Sequence, residues 1–296
     1  MHPLLVSFFT RPLVRLPIAL LFVAPGLFAP EVVRSFAPEL GRALTGPVAA
    51  LAATVLAWAA YVLYVRLVER RAVAELGWRG GPLELARGAV AGGALFSAAI
   101  GVLALAGAYR ITGMNAPATM ALPFVYALAA AVLEEIVFRG VIFRLIEASL
   151  GTWIALVVSA ALFGLGHAAN PHASALAVVA VGVEAGILLG AALVLTRRLW
   201  LAIGIHAGWN FVQGGIFSVP TSGVPFRGLF ESTLAGPAWL AGGAFGVEAS
   251  AVAVLLCVAA GAAMLWWGAR RGHVVAPFWA RRNRPAAPAV RPAPVA

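Results

Sequence analysis

Lysine and aspartate are absent from this chain: all 21 basic residues are arginine and all 11 acidic residues are glutamate. The pattern reads mainly as genomic base composition, and it fits a bacterial chain. Charge of either sign is scarce, 11% against about a quarter in a soluble domain, which excludes an ordinary soluble fold. The single cysteine, Cys257, excludes an intramolecular disulfide and any cysteine-rich metal site. It lies in an apolar run, where a thiol is filler. No HExxH is present, so the helix-borne zincin signature is missing too.

What the chain has instead is apolar length. Of 296 residues 62% are hydrophobic, and mean hydropathy is +0.95. Runs long enough to cross a bilayer, roughly 17–25 residues each, fall near 13–30, 47–66, 88–108, 119–139, 151–169, 173–195, 199–217 and 249–268. The expected fold is therefore all-α: a polytopic membrane bundle of about eight transmembrane helices. Arg11 and Arg15 before the first run could mimic a signal peptide. No prompt A-x-A-like cleavage site follows, so a retained helix is expected.

The net charge of +10 could suggest nucleic acid, but the arginines are scattered between apolar runs as membrane anchors. With the N-terminus in the cytoplasm, seventeen arginines fall on cytoplasmic segments. Four (Arg34, Arg42, Arg110, Arg227) fall outside. The positive-inside rule then places both termini in the cytoplasm, in a bacterial cytoplasmic (inner) membrane, with the lipid bilayer as a partner and no nucleic acid.

Four segments are expected: N-terminal helices over 1–118, a polar-residue core over 119–217, an outer loop and last helix over 218–269, and a disordered Arg/Pro/Ala-rich cytoplasmic tail over 270–296. Within the first, 68–87 mixes Arg and Glu with Leu76 and Trp78, as an amphipathic surface helix would. Gly182, Gly186 and Gly190, four apart, mark a close helix contact.

The polar residues crowd into the fourth to seventh runs. LEEIVFRG, 133–140, places Glu135 four residues before Arg139, the favourable helical order for an ion pair. Glu134 is rotated about 100° away and need not share that pair. ALFGLGHAANP puts Phe163 and His167 four apart, and LWLAIGIHAGWNF does the same for His206 and Asn210. Each alone has a bland alternative: an ion-pair knot, a histidine bonded to a carbonyl, polar glue between helices. Together, ionisable groups on consecutive apolar helices read as functional.

Such a set suits amide hydrolysis by an activated water. Glu134 with His167 can hold and deprotonate the water, and His206 with Asn210 can donate to the oxyanion. The substrate is then a membrane-associated or lipidated peptide or protein. Glu134, His167 and His206 also resemble a two-histidine, one-carboxylate zinc site, so no cofactor is favoured and zinc stays open. The contrasting readings are a transporter or proton relay, which would often show a second copy of the motifs where none is seen, and a catalytically idle immunity-type scaffold of the same fold.

EEIVFR, FGLGH and HAGWN resemble, in order and at similar spacing, the EExxxR, FxxxH and HxxxN motifs of the CPBP intramembrane proteases. These include the type II CAAX prenyl endopeptidases and bacterial bacteriocin-processing or immunity proteins. The resemblance covers about 120–215. It implies water activation at Glu134 and His167, oxyanion stabilisation at His206 and Asn210, and supporting positions at Glu135, Arg139 and Phe163. Members are often labelled metalloproteases, while the prenyl endopeptidase branch is also described as using glutamate without metal.

Two features fit less smoothly. Glu184 lies mid-span, where a protonated packing residue is the favoured reading. In depth, Glu134 rises roughly 15 Å above Arg144 and His206 roughly 9 Å above Trp200, but His167 roughly 21 Å above Trp153. Convergence then requires the fifth helix to tilt or to begin outside the bilayer, with the site in the cytoplasmic half.

Overall fold

The computed structural model describes residues 11–36 and 41–281, and their architecture is that of a polytopic helical membrane protein. The helices are α1 (Pro12–Phe36), α2 (Gly41–Tyr64, prolonged by a wide π turn Val65–Glu69), α3 (Gly81–Leu105) and α4 (Ala121–Glu135, π turns Ile136–Phe143, then Arg144–Leu150). After these come α5 (Thr152–Gly166), α6 (Ala175–Val181, a π turn Gly182–Gly186, then Ile187–Thr196), α7 (Trp200–Asn210, π turn Phe211–Ile216) and α8 (Ala251–Arg270). Each expected run coincides with one of them. Among the described residues five helices are long and apolar enough to cross a membrane: Thr45–Glu69, Gly81–Leu105, Pro117–Leu150, Ala175–Thr196 and Ala251–Arg270. Pro12–Gly26 and Thr152–Gly166 are shorter apolar stretches.

Lipid is as apolar as leucine, so helices in a membrane associate through close fit and not through expulsion of water. Glycine supplies the fit between α3 and α7. A Cβ on Gly208 would stand 2.1 Å from the Ala89 carbonyl oxygen, and one on Gly92 2.0 Å from that of Ile205. The expected glycine stripe on α6 works likewise, Gly182 and Gly186 lying against Ala160 of α5 and Gly190 against Leu156.

The two ends of the bundle differ. One is an arginine collar. There Arg144 and Arg71 bind Glu69 at 2.7 and 2.6 Å, Arg71 binds Glu75 at 2.8 Å, and Arg197 binds Glu147 at 2.5 Å. The expected amphipathic helix over 68–87 is absent. Arg70 turns left-handed at φ 55, only Ala74–Leu76 coils, and Gly80 at φ 75 leads into α3. The reason is burial of the polar face: Glu75 is enclosed and accepts the Tyr61 hydroxyl, so the segment folds into the collar. The tail also starts later than expected. The Thr152 N–H donates to the Val275 carbonyl, the Val275 N–H donates to Thr152 Oγ1, and Arg281 donates to the Ala148 carbonyl at 2.6 Å. Residues 282–296 lie outside those described.

The opposite end carries an unexpected ribbon, β1 (Tyr109–Met114) antiparallel to β2 (Phe230–Leu234), irregular between Ile111 and Gly113. Asn115 extends it, donating to Gly228 O at 3.0 Å and accepting from Arg227 at 2.8 Å.

Two outcomes follow from this packing. Gly208→Val forces α3 from α7, and overpacking of this kind costs about 1–3 kcal/mol or more; thermal unfolding in detergent should show the loss. Burial alone would raise the Glu75 carboxyl, but hydrogen bonds from Arg71 and Tyr61 outweigh it and hold it below its ordinary value. That stability is complete above the unfolded carboxylate's range and is lost as pH falls toward the folded value. Melting temperature should therefore drop between about pH 5 and pH 3, and drop less in Glu75→Gln.

Candidate active site

The site is built on a charge pair that lipid alone could not hold. Glu135 and Arg139 are both fully buried, with Nη1 to Oε1 at 2.8 Å. A guanidinium has five donors, and the surroundings supply further acceptors. Arg139 Nη2 donates to the carbonyl of Ala185 at 2.9 Å and to that of Gly186 at 3.3 Å, both on the π turn of α6. A wide turn loosens the helical ladder and leaves carbonyls aimed outward. The Phe163 ring lies 4.4 Å below the guanidinium carbon, a cation–π contact that strengthens when desolvated. Arg139 thus ties α4 to α5 and α6.

Glu135 also orients a histidine. Its Oε1 takes a hydrogen bond from His206 Nδ1 at 3.1 Å. His167 Nδ1 donates to the Phe163 carbonyl at 2.8 Å. A carbonyl and a carboxylate only accept, so Nδ1 carries a proton in both rings, and each ring turns its Nε2 to the site. Both Nε2 atoms face one oxygen: Glu134 Oε2 is 3.9 Å from each. That oxygen is buried and has no hydrogen-bond partner in the protein. Asn210 lines the same cavity.

All four expected reactive residues therefore meet, and the three supporting ones lie directly behind them. α5 ends at Gly166, which leaves His167 at a helix terminus with Glu134 within reach. Three of the four π segments adjoin the site, after Glu135, in the middle of α6 and after Asn210.

The donor set, two imidazole nitrogens and a carboxylate oxygen, is a type zinc accepts. The spacing is wider than a zinc shell: 3.9 Å between donors, against about 3.3 Å on a tetrahedral ion with bonds near 2.0 Å. Among the described residues no group of three or more His, Cys, Asp or Glu side chains is arranged to hold a metal ion. A water making hydrogen bonds of about 2.8 Å bridges a gap of that size.

A cavity of about 380 Å³ holds Glu134, His167, His206 and Asn210 on its floor, with Pro123, Tyr126, Ala130 and Phe226 on its walls. A smaller hollow of about 30 Å³ lies behind it, lined by Glu184, Glu248 and Ser222 as well as the two histidines. Glu184 is buried beside Glu248 and Cys257. Glu248 escaped the sequence reading. It accepts from Ser222 N at 2.5 Å and Gln213 Nε2 at 2.8 Å, and so pins the 219–224 turn over the site. Burial raises its carboxyl above the ordinary value, against those two hydrogen bonds. The available signal was an acid immediately before an apolar run.

Residues 115–212 match the family model described as Type II CAAX prenyl endopeptidase Rce1-like. The matched segment contains every residue of the floor and of the buried pair. No curated protein and no solved structure matches the chain.

The arrangement separates support from chemistry. Arg139→Ala leaves Glu135 buried and unpaired, which costs about 3–5 kcal/mol. Glu134→Gln removes no partner and should shift stability by less than about 1 kcal/mol. Chemical or thermal unfolding of the two variants in one detergent makes the comparison.

Proposed function

We propose that the protein is an intramembrane endopeptidase that hydrolyses a membrane-associated or lipidated peptide by a water activated at Glu134. The observation that carries this reading is the convergence of two imidazole Nε2 atoms and an unpartnered carboxylate oxygen on one point. The match over residues 115–212 to a prenyl endopeptidase family supports it.

In the proposed sequence the water donates one hydrogen bond to Glu134 Oε2 and the other to His167 Nε2. Glu134 takes a proton as the water oxygen attacks the peptide carbonyl carbon, and the carbonyl π pair moves onto oxygen. Asn210 Nδ2 donates to that oxyanion. His206 donates through Nε2 only when it carries both protons, and the Glu135 carboxylate on Nδ1 is the counter-charge for that form. Collapse of the tetrahedral adduct breaks the C–N bond, and Glu134 returns its proton to the leaving amine. Partial burial away from bulk water strengthens each of these interactions. Arg139 holds Glu135 in place through the 2.8 Å ion pair, so it is a positioning residue.

The test is cleavage of a fluorogenic lipidated-peptide panel by purified protein in detergent. Glu134→Ala should lose about 10²–10⁴-fold in turnover and Asn210→Ala about 10²–10³-fold, with a strong chelator leaving the wild type unaffected. Turnover abolished by chelator and restored by zinc would contradict the metal-free reading. Equal turnover in Glu134→Ala would contradict the site.

A further inference from the structure

The residues that line the cavity belong to one end of the bundle. Its walls come from the first turns of α4 (Pro123, Tyr126, Ala130) and from the loop before the ribbon (Thr221, Val224, Phe226), with Asn170 from the α5–α6 turn; no collar residue lines it. Toward the collar the floor is sealed. The buried Glu135–Arg139 pair lies beneath it, then Gly140, whose carbonyl oxygen is 3.1 Å from that of the Tyr61 hydroxyl, then the Glu69–Arg144 pair.

Charge identifies the two ends. Arg66, Arg70, Arg71, Arg79, Arg87, Arg144, Arg197, Arg198, Arg270 and Arg271 sit at the collar, whereas the ribbon end has Arg34, Arg42, Arg110 and Arg227. Arginine bias toward the cytoplasm is the strongest orientation rule for such helices, so the collar is the cytoplasmic face. On that orientation the cavity lies on the non-cytoplasmic side of its floor, whereas the sequence leads to the expectation of a site in the cytoplasmic half.

We propose that the active-site cavity is loaded from the non-cytoplasmic side, and that its substrate is an uncharged, extended segment of an exported or translocated peptide. This rests on the peptidase reading and narrows it, since a lipidated C-terminus presented in the cytoplasm would meet the sealed face. The walls support the chemistry. Apart from Glu134 and the two histidines no acidic or basic side chain lines the cavity, so a charged side chain entering it would lose its water and find few partners. The volume of about 380 Å³ lies at the low end of the roughly 300–1,000 Å³ of ligand sites, which suits a short stretch of chain. Val224, 41% exposed, and the half-buried Phe226 offer that stretch an apolar rim.

The test reads access directly. The full-length chain has one thiol, Cys257, which is buried and serves as the blank. Val224→Cys at the rim, Ala130→Cys on the wall and Arg79→Cys at the collar are expressed in a bacterial inner membrane and exposed to a membrane-impermeant maleimide. Spheroplasts should label Val224→Cys and Ala130→Cys but not Arg79→Cys, and inverted vesicles the reverse. Labelling of Val224→Cys or Ala130→Cys only in inverted vesicles would overturn the proposal, as would an Ala130→Cys inert in both while Val224→Cys reacts. Labelling does not depend on turnover. A protein that labels as expected yet cleaves nothing in the peptide panel would sink the peptidase reading and leave the direction of access standing. An active protein labelled from the collar would do the opposite.

Discussion

The buried pair of Glu135 and Arg139 is the constraint from which the rest of the core follows. Neither charge can stay in an apolar interior alone, and together they still leave guanidinium donors and a carboxylate oxygen to satisfy. Carbonyls of Ala185 and Gly186 meet the first need, and they are available because α6 widens there into a π turn. α6 lies close enough because Gly182 and Gly186 carry no side chain against Ala160. His206 Nδ1 donates to Glu135 Oε1, the oxygen that Arg139 already holds, and that bond also sets the tautomer of a histidine facing Glu134, while Glu135 Oε2 and Arg139 Nε have no hydrogen-bond partner among the described residues. Stability and chemistry are coupled through one oxygen atom, Glu135 Oε1.

The same coupling explains the division of labour between adjacent glutamates. A helix rotates neighbours by about 100°, so Glu135 turns into the protein and Glu134 onto the cavity floor. One is fully buried and holds an arginine; the other is partly open and faces two histidines at 3.9 Å, with no closer ion-pair partner among the described residues. A carboxylate that must accept a proton and return it needs that freedom, and a carboxylate that must hold an arginine cannot have it.

The helices and the polar constellation were legible because both rest on local patterns: apolar runs, arginines at their ends, and i, i+4 spacing of Glu135/Arg139, Phe163/His167 and His206/Asn210. The depth mismatch was an error of reference. Glu134 was measured from Arg144, yet α4 continues to Leu150, which puts Glu134 roughly 24 Å above the true helix end, level with His167. Arg144 misled because its charge is satisfied by Glu69 inside the collar and does not mark a membrane surface. The ribbon was invisible because Tyr109 pairs with Leu234 far along the chain, and no local window contains both. The π turns were invisible because periodicity cannot separate a wide turn from a regular one. The direction of the cavity depends on how 219–226 folds back over α4, a matter of Glu248 and Gln213 gripping a turn.

The central claim is that Glu134 activates water and does not itself attack the peptide. Hydrolysis run over many turnovers in ¹⁸O-water, followed by mass spectrometry of the peptide containing Glu134, tests it most directly. The account predicts label in the new carboxylate of the product and none in Glu134. Label in the Glu134 carboxylate would mean an acyl-enzyme anhydride had formed and been hydrolysed, and the water-activation mechanism would be wrong.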